Sequence, residues 1–277
     1  MSSSESTAVV EDLLAKVQEL RPLIESHIEA NERERRLAAP VVDAFRKARL
    51  FQLAVPKSLG GLELDPVSGY RVTEAVARID GASGWCVGIA QAWAQSTGMF
   101  SPEAVAEIFP DADAVVAGAG NPPGRLTPVQ GGYRFSARAP FASGCHHAKS
   151  TIILGLVMEG DQPATNPETG APEVRLVHVP SADVTIHDTW DTMGMRGTGS
   201  HDIEARDVFV PEYRVCAMAV DAVAKSPHYG TNPMYRLAQL GVHFETVTSL
   251  GGRPSGDRLP PRPGARKGAS GGDGASS

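Results

Sequence analysis

The periodicity of the chain changes at Pro110, and that change excludes most fold classes. Before it, apolar residues recur at helical spacing. Leu13, Leu14, Val17, Leu20, Ile24 and Ile28 mark residues 9–31 as helical, with Pro22 expected to split the segment in two. Pro40 starts a second helix with Val42, Phe45 and Leu50 on its apolar side. The run LAVPKSLGGLELD reads as loop from Pro56 and the paired Gly60 and Gly61. Asp65 and Pro66 supply an N-cap and a first-turn residue for a helix through Ile79. Gly81 to Ser96 is largely apolar, the pattern of a buried helix. Ser101, Pro102 and Glu103 begin a short helix ending near Phe109.

After Pro110 the text becomes strand-like. Ala114–Ala119, Tyr133–Arg138, Thr151–Val157, Val174–Val179, Val184–His187 and Ile203–Val210 are short apolar runs separated by Gly, Pro, Asp or Asn. That spacing is typical of an antiparallel barrel or sandwich. The run EGDQPATNPETGAPE reads as a mobile, hairpin-like surface excursion. No alternation of strand and helix is present, so a doubly wound nucleotide-binding sheet is disfavoured. The expected class is α+β: a helical N-terminal domain over residues 1–110, then an antiparallel β-barrel or sandwich over 111–215. Residues 216–250 are expected to be a linker and the start of a further helical domain.

Residues 251–277 cannot bury a core. They hold eight Gly, four Pro and four Ser, with Leu259 as the one large apolar side chain. One leucine does not offset the backbone entropy of ordering such a stretch, so disorder is expected. This tail carries a net charge of +3, which leaves about −9 on residues 1–250. A body so acidic is not a nucleic-acid binder on electrostatic grounds. There is no apolar run long enough to span a membrane, and Met1 to Val10 lacks the pattern of a signal peptide. Cys86, Cys145 and Cys216 are far apart, which argues against disulfides and zinc fingers and for reduced thiols in the cytoplasm.

Three motifs invite functional readings and fail a context test. Gly118 to Gly124, GAGNPPG, follows a strand, but Pro123 stands where a dinucleotide loop needs its third glycine, and a strand follows instead of a helix. His146 and His147 are adjacent, and adjacent strand residues point to opposite faces, so no shared metal is expected. Ser200, His201 and Asp202 are consecutive and diverge, whereas the members of a hydrolytic triad must converge. Trp85 and Trp93 lie just over two turns apart on one apolar helix, where core packing is the more common role.

Four segments together resemble the acyl-CoA dehydrogenase superfamily, and within it the flavin-dependent monooxygenase branch, the oxygenase components of two-component aromatic hydroxylases. They are LFQLAVPKSLGGLELD (Leu50 to Asp65), ARIDGASGWCVGIA (Ala77 to Ala90), GGYRFSARAPFASGCHHA (Gly131 to Ala148) and DTWDTMGMRGTGSHDIEARDVFVP (Asp188 to Pro211). The resemblance covers about residues 10 to 245. It implies a helical domain, a middle β domain and a C-terminal four-helix bundle, the last largely missing here. It implies a reduced flavin, FMN or FAD, delivered by a separate reductase, and transfer of an oxygen atom from O2 to a small aromatic, commonly a phenol. It also implies a homotetramer, which the short chain puts in question.

Carried over residue by residue, the resemblance places Trp85, Asn121, Phe141, Ala142 and Ser143 at the flavin, with Phe141 covering a ring face and Ser143 offering a hydroxyl or backbone amide near N5. A substrate wall is expected near Trp93. No catalytic acid or base and no metal ligand is assigned. The text after about His243 suggests a frameshifted or shortened reading frame, with a short paralogue bearing a flexible tail as the alternative, and the chain alone is expected to be uncoupled or inactive. Two other functions stay open: an acyl-CoA dehydrogenase-like oxidoreductase acting on a thioester, and a non-catalytic remnant or partner of an intact homologue.

Overall fold

A computed structural model describes residues 3–218, 220–232 and 234–237. The expectation of a disordered tail over residues 251–277 lies outside them, as do residues 238–250 of the segment expected to start a further helical domain. The helical part comprises α1 (Ser3–Glu34), α2 (Ala39–Lys47), α3 (Pro66–Ala77), α4 (Gly81–Ser96) and α5 (Pro102–Ile108). Pro22 does not split α1. A proline inside a helix removes one hydrogen bond and crowds the preceding turn. The apolar stripe of α1 nevertheless continues through it, with Val17 and Ile24 both fully buried.

Helix α4 sits at the centre. Asp80 caps it, accepting hydrogen bonds from the Ser83 backbone N–H (2.9 Å) and the Ser83 hydroxyl (2.6 Å). Its small residues let neighbours approach closely. A methyl group at Gly84 would lie 2.5 Å from Cβ of Ala77 on α3. On another face, Gln91 Nε2 donates to the buried Thr73 hydroxyl at 2.6 Å.

The strands are β1 (Val116–Val129), β2 (Gly132–Ala139), β3 (Ser150–Glu159), β4 (Gln162–Pro163), β5 (Val174–Pro180), β6 (Thr185–His187), β7 (Asp202–Pro211) and β8 (Val215–Ala217). They form an eight-stranded sheet in the order β6-β7-β2-β1-β3-β5-β8, with β4 paired to β3. The sheet is mixed where an antiparallel one was expected, because β1 and β3 pair in parallel. The cause is the connection after β2: residues 140–149 pass β1 and enter the sheet on its far side. The excursion after β3 is a hairpin, closed by β4 and by a bridge between Thr165 and Pro172. Beyond the sheet come α6 (Val220–Lys225) and α7 (Met234–Leu237). Tyr229 and Tyr235 anchor this end in the core, with ring centroids 4.7 Å apart. No described helix is long and apolar enough to cross a membrane.

The GAGNPPG run lies within β1. Pro122 and Pro123 carry no N–H to donate, and the ladder to β3 breaks between Ala119 and Gly124. Two of its three glycines serve packing. A methyl at Gly118 would lie 2.3 Å from the Trp93 ring, and one at Gly124 would lie 2.4 Å from Cβ of Ala137. Trp93 therefore wedges between α4 and β1, with its indole N–H buried and unpartnered among the described residues.

Two stability predictions follow from this packing. Gly118→Ala should destabilise by about 1–3 kcal/mol, because the Trp93 ring is held by helix and sheet and cannot give way. Gly120→Ala, whose new methyl would meet only Leu154 at 3.7 Å, should be near neutral. Equal urea midpoints for the two variants would contradict this account of the helix–sheet contact. The second prediction concerns acid. His178 on β5 is buried, and burial lowers its pKa from the ordinary 6.5 to about 4, helped by Arg214 and opposed by Glu107. Between those values the unfolded chain binds a proton that the folded chain refuses. Stability should therefore be unaffected by His178 above about pH 6.5 and fall as pH drops toward 4, by about 1.4 kcal/mol per pH unit. Urea titrations at pH 6 and 5 should show that His178→Gln removes this share of the slope; an unchanged slope would mean the imidazole is not held neutral.

Candidate active site

Sheet topology brings two loops to one edge. β2 ends at Ala139, which pairs with Ile203 near the start of the antiparallel β7. The loop leaving β2 (140–149) and the loop entering β7 (188–201) must therefore meet. Backbone bonds stitch them: Ala142 N–H donates to His201 O at 3.1 Å, and Gly144 N–H to Thr198 O at 3.0 Å. The second loop also reaches α4 and α1. Cys86 donates to Thr198 O at 3.8 Å, and a methyl at Gly197 would touch Asn31 and Ala82 at 3.0 and 3.1 Å.

Of the five residues placed at the flavin by resemblance, Trp85 and Ser143 are in direct contact. Trp85 Nε1 donates to Ser143 Oγ at 2.9 Å. Ser143 Oγ lies 2.6 Å from Ser200 Oγ, which lies 2.7 Å from Thr198 Oγ1, and Thr198 Oγ1 donates to Met195 O at 2.8 Å. The same carbonyl accepts from Trp190 Nε1 at 3.0 Å. The Ser143 hydroxyl is thus already engaged by Trp85 and Ser200. The Ser143 amide donates to Phe141 O at 2.9 Å.

Phe141 is the strained member. Its φ is 63°, a left-handed conformation that costs a bulky residue about 1–2 kcal/mol. The residue is nonetheless 66% exposed, with the Trp190 ring edge-on at 6.0 Å. Strained backbone of this kind clusters at functional sites. Ala142 is buried beneath it in the cluster that includes Ala119, Ala139 and Cys145. Asn121 stands exposed on the broken stretch of β1, on the neighbouring strand, and makes no side-chain hydrogen bond among the described residues. Met193, fully exposed, belongs to the same loop as Trp190.

The three histidines singled out in the sequence have other work. His146 and His147 lie on a 3-10 turn (Cys145–His147), not a strand. His147 stacks on Phe51 at 5.1 Å, and burial lowers its pKa to about 3. Burial, with the nearby charge of Arg36, lowers His146 to about 4. His201 is buried: its Nδ1 accepts the N–H groups of Thr189 and Trp190, both at 3.1 Å, and its Nε2 donates to Arg35 O at 3.1 Å. It ties the 188–201 loop to the end of α1 and has no free nitrogen for catalysis. Among the described residues, no cluster of three His, Cys, Asp or Glu side chains could hold a metal. Clefts of about 460 and 220 Å3 lie nearby and share Glu34, Arg36 and His146, but neither is lined by Trp85, Phe141 or Ser143.

Sequence reasoning missed Trp190, Met195 and Thr198, and it weighed Ser200 only as a triad member. They join the site through the Ser200–Ser143 contact, which spans more than fifty residues and for which a linear pattern holds no signal.

Comparisons with known proteins bear on the fold and its relatives. The acyl-CoA dehydrogenase N-terminal domain family matches residues 10–106. A pigment production hydroxylase from a Rhodococcus species is 31% identical over 242 residues, which are 86% of this chain and 60% of that protein. The flavin-dependent monooxygenase oxygenase subunit HsaA of Mycobacterium tuberculosis is 28% identical, over 86% of this chain and 59% of its own. Among solved structures, XiaF from a Streptomyces species, determined with FADH2 and glycerol, superposes with a TM-score of 0.80 at 29% identity, covering 90% of this chain and 62% of XiaF. The chain spans about 60% of the length of the curated relatives it matches. The acyl-CoA dehydrogenase N-terminal domain accounts for residues 10–106, and over most of its length the chain is similar to flavin-dependent monooxygenases and hydroxylases of that fold.

Proposed function

We propose that this chain provides part of the oxygenase component of a two-component, flavin-dependent monooxygenase that hydroxylates a small phenolic or other aromatic substrate in the cytoplasm. A reductase delivers the reduced flavin, FMN or FAD. The observation that carries the reading is the Trp85–Ser143 hydrogen bond beside the outward-held Phe141 ring. The residues fit a flat heteroaromatic group. Phe141 and Trp190 offer apolar ring surface, Trp85 and Ser143 offer a fixed polar point, and the exposed Asn121 offers an amide. The names of the relatives point the same way. They include HsaA, a FADH2-dependent resorcinol hydroxylase and an indole-3-acetate monooxygenase.

Reduced flavin, when bound, supplies the electrons that activate O2 for insertion of one oxygen atom into an aromatic ring. This chain's residues orient the ring system and shield one of its faces from water. Oxygen transfer also needs an acid or base beside the substrate. His201 and His147 cannot serve, the first because both nitrogens are bonded, the second because it is buried against Phe51. From this chain alone, peroxide should therefore exceed hydroxylated product.

Anaerobic titration with dithionite-reduced FMN or FAD tests the reading, followed by a reductase-coupled assay of phenol hydroxylation and hydrogen peroxide. Phe141→Ala should weaken reduced-flavin binding about tenfold, the loss of one aromatic contact. Oxidation of an acyl thioester in place of the phenol, or binding that ignores Phe141, would overturn it.

A further inference from the structure

The hydroxyl chain behind Trp85 has only one consistent proton order. Met195 O can only accept, so the Thr198 hydroxyl hydrogen is committed to it at 2.8 Å. Thr198 Oγ1 must then accept from Ser200 at 2.7 Å, since each hydroxyl has one hydrogen. Ser200 Oγ must in turn accept from Ser143 at 2.6 Å. The indole N–H of Trp85 can only donate, and it fills one lone pair of Ser143 Oγ at 2.9 Å. The order runs from Trp85 through Ser143, Ser200 and Thr198 to Met195 O without a branch. Ser143 is left with one lone pair and no hydrogen to give. Because Ser143, Ser200 and Thr198 are all buried, water does not blur this polarity.

We propose that Thr198 and Ser200 are positioning residues that hold Ser143 as a hydrogen-bond acceptor and so make this face selective for reduced over oxidised flavin. The inference rests on the flavin reading above. N5 of a reduced flavin carries a hydrogen and donates; N5 of an oxidised flavin is a bare acceptor and would oppose the Ser143 lone pair. A free serine hydroxyl would rotate to suit either form. The fixed chain removes that freedom, and the discrimination is built by residues two steps behind the contact.

The test is a pair of dissociation constants, for oxidised and for dithionite-reduced FMN, measured anaerobically by tryptophan quenching. Wild type should bind the reduced form more tightly. Ser200→Ala leaves the Ser143 hydrogen without its acceptor, so the oxidised form should gain and the ratio of the two constants narrow about tenfold, the worth of one hydrogen bond's polarity. Ser200→Thr, which keeps the hydroxyl, should restore the ratio. Thr198→Val is an independent second variant: Ser200 then loses its acceptor and can turn its hydrogen on Ser143, and the ratio should narrow again. A purely structural role would weaken both redox forms alike. An unchanged ratio in folded Ser200→Ala and Thr198→Val, with reduced flavin still bound, overturns this proposal and leaves the flavin reading standing. Failure of wild type to bind either form overturns both.

Discussion

The close packing around α4 is the constraint on which the rest depends. This helix touches α3, the start of β1 and the loop entering β7, and each contact is possible only because a side chain is missing. Gly84 admits Ala77, Gly118 admits the Trp93 ring, and Gly197 admits Asn31 and Ala82. Interiors are packed to crystal-like density, so there is no slack to absorb a methyl group at these points. The consequence is positional. α4 is fixed to helix and sheet at once, and Trp85 on it is delivered to Ser143 at hydrogen-bond distance.

The other half of the site comes from the sheet. The passage of residues 140–149 past β1, which makes the β1–β3 pair parallel, places the Phe141 turn at the same edge as the 188–201 loop. Met195 O then gathers Thr198 and Trp190 from its own loop. His201 anchors that loop to α1 through both ring nitrogens. The strained Phe141 is retained because the backbone on either side is bonded: Ala139 pairs with Ile203 before it, and Ala142 bonds to His201 and Gly144 to Thr198 after it. Rigid surroundings of this kind let an aromatic ring remain exposed and oriented.

Much of the fold was legible in the sequence, for local reasons. The Asp65–Pro66 signal lies at the start of α3, where Asp65 accepts from Ser68 N–H at 3.1 Å. Gly81 to Ser96 read as a buried helix and forms one, because apolar and small residues on every side leave no solvent face. Pro22 misled, since its local penalty is outweighed by the core burial of Val17 and Ile24 on either side. Strand runs were visible, but not the parallel pair, because pairing is decided by where a loop crosses. At the site, Phe141, Ala142 and Ser143 are contiguous and could be named from resemblance. The orientation of the Ser143 hydroxyl could not, because it depends on Ser200 and Thr198, more than fifty residues on. The adjacent histidines read as strand residues and lie on a turn, because Gly144 at φ 75° breaks the extended run.

The three tryptophans give the most direct test of the central claim that Trp85 and Trp190 face the cofactor surface while Trp93 serves packing. In protein labelled with 15N-tryptophan, each indole N–H gives one resolved signal. On anaerobic addition of reduced flavin, the Trp85 and Trp190 signals should shift together, linked through Ser143 and Met195, while that of Trp93 stays in place against Gly118. A shift confined to Trp93, with Trp85 and Trp190 unmoved, would contradict the account.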